Sequence, residues 1–145
     1  MQTLQFTIEI NAQASKVWRV LWDDATYRKW TTAFCEGSYA VSNWNEGDPV
    51  HFLSPNGDGM YSIIDEKIDE KLMSFRHIGN IKNHVEQPID EETKLWSEAK
   101  EIYTLKEANN QTTLTVTIDA LDLYADFFNG SMPKAMELLK NLSEN

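Results

Sequence analysis

Residues 112–142 read TTLTVTIDALDLYADFFNGSMPKAMELLKNL, and this stretch decides the fold. Leu114, Val116 and Ile118 alternate with Thr113, Thr115 and Thr117. A period of two marks a strand with one apolar face and one that tolerates water. A sheet covered on a single side carries such strands. The period then changes. Tyr124, Phe128, Met132, Ala135, Leu139 and Leu142 are spaced by three or four residues, with Phe127 and Leu138 beside them. That spacing is the stripe of an amphipathic helix, and it predicts a helix laid on the apolar face of the sheet. Asn129, Gly130 and Pro133 interrupt it. An internal proline removes a helix hydrogen bond and costs about 3 kcal/mol. A kink, a break or a fresh helix start is therefore expected near Ser131. It serves either as a packing adjustment or as an opening that leaves room for a ligand.

Upstream, residues 96–105 form a hairpin with residues 112–121, turning at Ala108, Asn109, Asn110 and Gln111. Further strands are predicted around Tyr39 and Val41, around Val50 and Phe52, and over residues 60–68 and 72–78. Turn chemistry at 43–49 and 55–59 separates them. Residues 79–94 break the rhythm with Pro88, Asp90, Glu91 and Glu92. A long connection of this kind reads either as a lid over a cavity mouth or as an idle surface loop. At the N-terminus, Leu4, Phe6, Ile8 and Ile10 alternate as a strand. Ser15 is expected to cap a helix carrying Val17, Trp18 and Leu21. Asp23 or Asp24 ends it and starts a second helix with the stripe Tyr27, Trp30 and Phe34.

The chain has 145 residues, of which 41% are hydrophobic, with five Trp, six Phe and five Tyr. That length predicts one domain, residues 1–145. Aromatics in this number either fill a core or line a concave site. The formal net charge of −10 argues against nucleic acid and against anionic membrane surfaces. Cys35 is the only cysteine, so no intramolecular disulfide and no Cys-based zinc site is expected. The spacing of His51, His77 and His84 matches no zinc or iron pattern, and neither metal nor cofactor is expected. No secretory signal is read, and no apolar run approaches the ~20 residues of a membrane span. The expectation is a cytoplasmic protein without membrane insertion.

An ordered set of short patterns runs the length of the chain. Ala12 is followed by Val17 and Trp18, then by the acidic turn Asp23–Asp24 and by Trp30. Trp44 precedes the Gly47 turn, Gly59 precedes a long strand, and Trp96 leads to Glu101 and Tyr103. The Thr-rich strand and the last helix close the series. In this order the chain resembles the START/SRPBCC superfamily, closest to the group related to the activator of the heat-shock-protein ATPase. Where many members carry Gly-Trp at the start of the last helix, this chain has Asn129-Gly130-Ser131-Met132. The resemblance implies the α+β helix-grip fold. In it a curved antiparallel sheet, with two short helices after the first strand, wraps a long C-terminal helix over its concave face. It also implies a deep cavity between sheet and helix. Members bind lipids, sterols or polyketides, and a minority catalyse cyclisation or dehydration.

The alternation also orients polar groups. If Leu114, Val116 and Ile118 face inward, the paired Tyr103 and Leu105 do too, and period two carries Ala99 and Glu101 with them. On residues 72–78, inward Met73 and Phe75 carry His77 with them. An inward Glu and His need partners, in the protein or in a ligand. Trp30, Phe34, Phe52, Phe75, Tyr103, Phe128 and Met132 are expected to line the wall, with Glu101 and His77 orienting the contents. The leading reading is a module that binds a small hydrophobic or amphipathic molecule. The alternatives are a cofactor-free cyclase, hydratase or hydrolase with Glu101 and His77 as its acid/base pair, and a chaperone-linked protein-interaction module. An unpaired edge strand makes a homodimer possible.

Overall fold

The computed structural model describes residues 1–145. Strand β1 (Gln2–Ile10) is followed by helices α1 (Ala14–Trp22) and α2 (Asp24–Trp30) and a 3-10 turn at Thr31–Ala33. Then come β2 (Tyr39–Val41), β3 (Pro49–Leu53), β4 (Gly59–Ile68), β5 (Leu72–Lys82) and β6 (Val85–Glu86). After a 3-10 turn at Thr93–Leu95 follow β7 (Lys100–Ala108) and β8 (Gln111–Ala120). A last 3-10 turn, Asp122–Tyr124, leads into α3 (Ala125–Glu144). The strands form one curved antiparallel sheet in the order β1-β8-β7-β5-β4-β3-β2, with β6 added to β5. Consecutive strands β1 and β2 thus lie on opposite edges. The chain between them has to cross the sheet, and α1 and α2 make that crossing on the concave side.

Alternation dictates which side is covered. On β8, Leu114, Val116 and Ile118 are buried, as are Met73 and Phe75 on β5 and Tyr103 and Leu105 on β7. These join Val17, Leu21 and Trp30 from the short helices and Met132, Ala135, Met136 and Leu139 from α3 in one core. The register shift between Tyr61 and Ser62 leaves Ile78 as an extra residue in β5, and that between Ile64 and Glu66 leaves Asp65 as an extra residue in β4. Bulges bend a strand and increase its twist, which helps this sheet curl around α3. Gly59 is needed where β3 meets β4: an added Cβ would stand 1.8 Å from the Phe52 carbonyl oxygen. Asn109 and Asn110 close the β7–β8 hairpin with φ of +56° and +61°. These are positions that Asn tolerates better than most residues.

Four local expectations are corrected. Ser15 does not cap α1, whose N-terminal flank is Gln13 without a side-chain cap. The free amide of Ala14 instead donates to Glu107 Oε1 at 2.6 Å, so a partner distant in sequence does the capping. Residues 79–94 are not a structureless connection. β5 continues to Lys82 and turns back into β6 through Asn83 and His84, both with positive φ. Strand β7 begins at Lys100 rather than at Trp96, because the chain turns at Glu98 with φ +77°. Finally, α3 is one uninterrupted helix with Pro133 inside it, so no break or fresh start occurs at Ser131. The carbonyl that Pro133 cannot serve belongs to Asn129, and both residues lie on the exposed side, where water reaches them.

Candidate functional site

Beneath the N-terminal part of α3 the concave face is not filled. One chamber of about 390 Å³ lies between α2, the β2–β4 end of the sheet and the start of α3. It is walled by Trp22, Tyr27, Trp30, Phe34, Tyr39, Phe52, Phe75, Tyr103, Phe128 and Met132, among others. A second chamber of about 430 Å³ lies toward residues 90–99 and the end of β8, walled by His77, Trp96, Ala99, Asp119, Leu121 and Tyr124 among others. Met60, Glu101, Ile118, Phe127 and Phe128 line both, so the two adjoin, with Glu101 at the divide. Each has the size of an ordinary small-molecule pocket.

The aromatic wall is built edge to face. The Trp22 ring meets Tyr103 at 4.9 Å and Phe75 at 5.4 Å, and Phe52 meets Phe75 at 5.1 Å, all near perpendicular. Such pairs hold each ring in place and add about 0.5–1.5 kcal/mol beyond area burial. Trp30 is fixed from behind by its indole N–H, which donates to the Leu21 carbonyl at 3.1 Å. The indole N–H of Trp22 is buried with no hydrogen-bond partner.

A polar relay threads this wall. Register places Ser62 opposite His77, with Ser62 Oγ 2.6 Å from His77 Nδ1. His77 Nε2 lies 3.2 Å from Glu101 Oε1, and the Tyr103 hydroxyl donates to Glu101 Oε2. Ser62 and His77 are almost fully buried, whereas Glu101 keeps 21% of its side-chain surface open, where it borders the two chambers. Burial pushes the Glu101 carboxyl up, but the His77 hydrogen bond and charge, with the Tyr103 hydroxyl, outweigh burial and hold it below its ordinary value. Glu101 is therefore a carboxylate at neutral pH. Burial first, and then the Glu101 charge and hydrogen bond, push the Tyr103 phenol well up. Burial and the Glu101 charge do the same to Tyr27. Both phenols stay protonated, and the Tyr27 hydroxyl, at the chamber wall, has no partner in the protein.

The sequence-derived wall residues Trp30, Phe34, Phe52, Phe75, Tyr103, Phe128 and Met132 lie around the first chamber together with Glu101; His77 lies on the second. Sequence reasoning missed Trp22, Ser62 and the free hydroxyl of Tyr27. Tyr27 was legible as part of a helical stripe with Trp30. Ser62 was not, because the extra residue Ile78 on β5 sets the register that brings it opposite His77. The three histidines do not converge, and no group of three or more His, Cys, Asp or Glu side chains could hold a metal ion. Cys35 is exposed. His51 pairs with Glu86 at 2.7 Å, outside both chambers.

No family model matches the sequence, and no curated protein matches it. Solved structures do. The chain is similar to the Aha1 dimer from Colwellia psychrerythraea, with 21% identity over 99% of this chain and 97% of that one and a TM-score of 0.74. It is similar to protein NE0264 from Nitrosomonas europaea, with 15% identity over 97% of this chain and 92% of that one and a TM-score of 0.70. It also matches DynU16, from the dynemicin biosynthetic locus, with 12% identity over 97% of this chain but 46% of that one and a TM-score of 0.68. At these identities the likeness is one of fold, and the fold is the helix-grip fold.

Proposed function

We propose that this protein binds a small, mainly apolar molecule in the paired chambers between the sheet and the N-terminal part of α3. The observation that carries this is Glu101, an ionised carboxylate with two hydrogen bonds, set at the divide between two aromatic-walled spaces of ligand size. Two protein hydrogen bonds leave the carboxylate with acceptor capacity on the side that borders the chambers, where a ligand can use it. The nine wall and orienting residues named above are the proposed contacts. Native mass spectrometry of the gently purified protein tests the reading. A bound compound that is released on unfolding is expected. A mass equal to the bare chain, together with no shift of tryptophan emission across a library of apolar probes, would refute it.

A second reading is catalytic, and the 3.2 Å approach of His77 to Glu101 favours it. Glu101 is the group that borders both spaces, so it would take the proton and His77 would hold it in place. Within that reading a hydrolase with a serine nucleophile is disfavoured. Ser62, the only hydroxyl on His77, is 1% exposed and lines neither chamber, so it cannot serve as a nucleophile. Cyclisation or dehydration needs no nucleophile from the protein, and DynU16, similar in fold, belongs to the dynemicin biosynthetic locus. A homodimer is a further proposal, motivated by the Aha1 dimer and by β1 and β2, which are paired on one side only. Light scattering on an eluting column decides it. No helix is long and apolar enough to cross a membrane.

A further inference from the structure

The structure points to the polar end of the ligand, and we infer that it is a protonated amine carried on an apolar body. This rests on the chambers being the binding site and says which chemistry they select. First, no lysine or arginine lines either chamber. A carboxylate, phosphate or sulfate on the ligand would find no cation in the wall and would meet Glu101 without compensation. Second, Glu101 has acceptor capacity left. Its two oxygens offer about four lone-pair directions, and His77 and Tyr103 use two. Those hydrogen bonds fix the carboxylate in orientation without filling it.

Third, His77 is held on both ring nitrogens, Nδ1 against Ser62 Oγ and Nε2 against Glu101 Oε1, so the protein braces one side of the carboxylate. The remaining side borders the chambers, where a ligand cation can meet it. Fourth, Tyr27, Trp30, Phe34, Phe75 and Tyr103 surround the first chamber with aromatic rings. Their faces attract cations, most strongly where water is excluded. Fifth, Tyr27 is buried and lines the same chamber, and its hydroxyl makes no hydrogen bond within the protein. Its oxygen is free to accept from an ammonium group. An alcohol could use some of these features, but only a cation uses all of them.

The test is a set of three probes with one naphthalene body: 1-naphthylmethylamine, 1-naphthalenemethanol and 1-naphthaleneacetate, titrated into the full chain at pH 7 by calorimetry. The amine is expected to bind at least about tenfold more tightly than the alcohol, and the anion most weakly. In Glu101→Gln the amine preference should collapse while the alcohol still binds. Tyr27→Phe, which alters no protein contact, should reduce the amine preference in part. If the alcohol or the anion binds as tightly as the amine, the cation inference is overturned while the binding function stands. An amine preference that survives in Glu101→Gln also overturns it. If none of the three binds, both readings fall.

Discussion

The two halves of α3 are built from similar residues and do opposite things. From Met132 onward, Met132, Ala135, Met136 and Leu139 are all at most 4% exposed and sit in the core with β1, β8 and α1. Before Met132, Phe128 is half-buried, Phe127 is 49% exposed and Tyr124 is 50% exposed. Their rings border open chambers rather than close-packed side chains. A helix stripe records which face meets the sheet, but not whether the space beneath is filled. The filled half anchors the helix, and the unfilled half leaves a binding site. Protein interiors normally pack to the density of organic crystals, so a large gap under six or seven residues of one helix is the feature that calls for a functional explanation.

The contrast is broken most directly by truncating one residue in each half. Leu139→Ala should cost about 2–5 kcal/mol of unfolding free energy, because it empties a site that is sealed on all sides. Phe128→Ala should cost much less, about 1 kcal/mol, since part of its ring already faces a void. Probe binding should reverse the order: weakened in Phe128→Ala and unchanged in folded Leu139→Ala. Urea unfolding with parallel calorimetry checks both. Equal destabilisation by the two variants would mean that the N-terminal half is packed after all.

Within the site, the polar relay can be separated from the apolar wall. Ser62→Ala removes the partner of a buried ring nitrogen and should cost about 1–2 kcal/mol. Glu101 gives a test in pH. Its folded carboxyl lies below the ordinary value of 4.5, so it stabilises the fold at neutral pH. That contribution is complete above about 4.5 and is lost as the pH falls toward and through the folded-state value. The stability gap between the natural chain and Glu101→Gln should therefore shift against the natural chain on acidification from pH 7 to pH 3. Parallel urea titrations follow it, and a gap that stays constant would show that Glu101 does not titrate as described.

This same division marks how much the sequence told. β8 and α3 were legible because each buries one face along its whole length, which leaves a clean period of 2 or of three to four. Glu101 and His77 were legible as inward residues for the same reason: each shares a strand with buried partners two positions away. The relay partner of His77 was not, because the extra residue Ile78 in β5 shifts the register opposite Tyr61 and Ser62, and Gly79 beside it reads as the end of a strand rather than as a bulge. The hairpin of β5 and β6 was hidden by an Asn83-His84 turn, a pair of residues with little turn preference beyond that of Asn. The capping of α1 by Glu107 joins residues 93 positions apart, and no local pattern encodes it. Most elusive was the division of the concave face into filled and unfilled parts, since Phe128 and Leu139 occupy equivalent places in one stripe.

The finest test concerns whether the open half is held loose on purpose. Gly130 lies on the exposed face of α3, and an added Cβ there would have nothing within 4 Å. By helix propensity alone, Gly130→Ala should stabilise the protein by about 0.5–1 kcal/mol. Thermal unfolding measures that gain. Stopped-flow mixing with a probe then asks what the gain does to the roof. If ligands enter by displacement of the segment that holds Phe127 and Phe128, the stiffer helix should slow association while leaving the packed half untouched. If association keeps its rate, the chambers are reached through their standing mouth, and the glycine has no part in admitting the ligand.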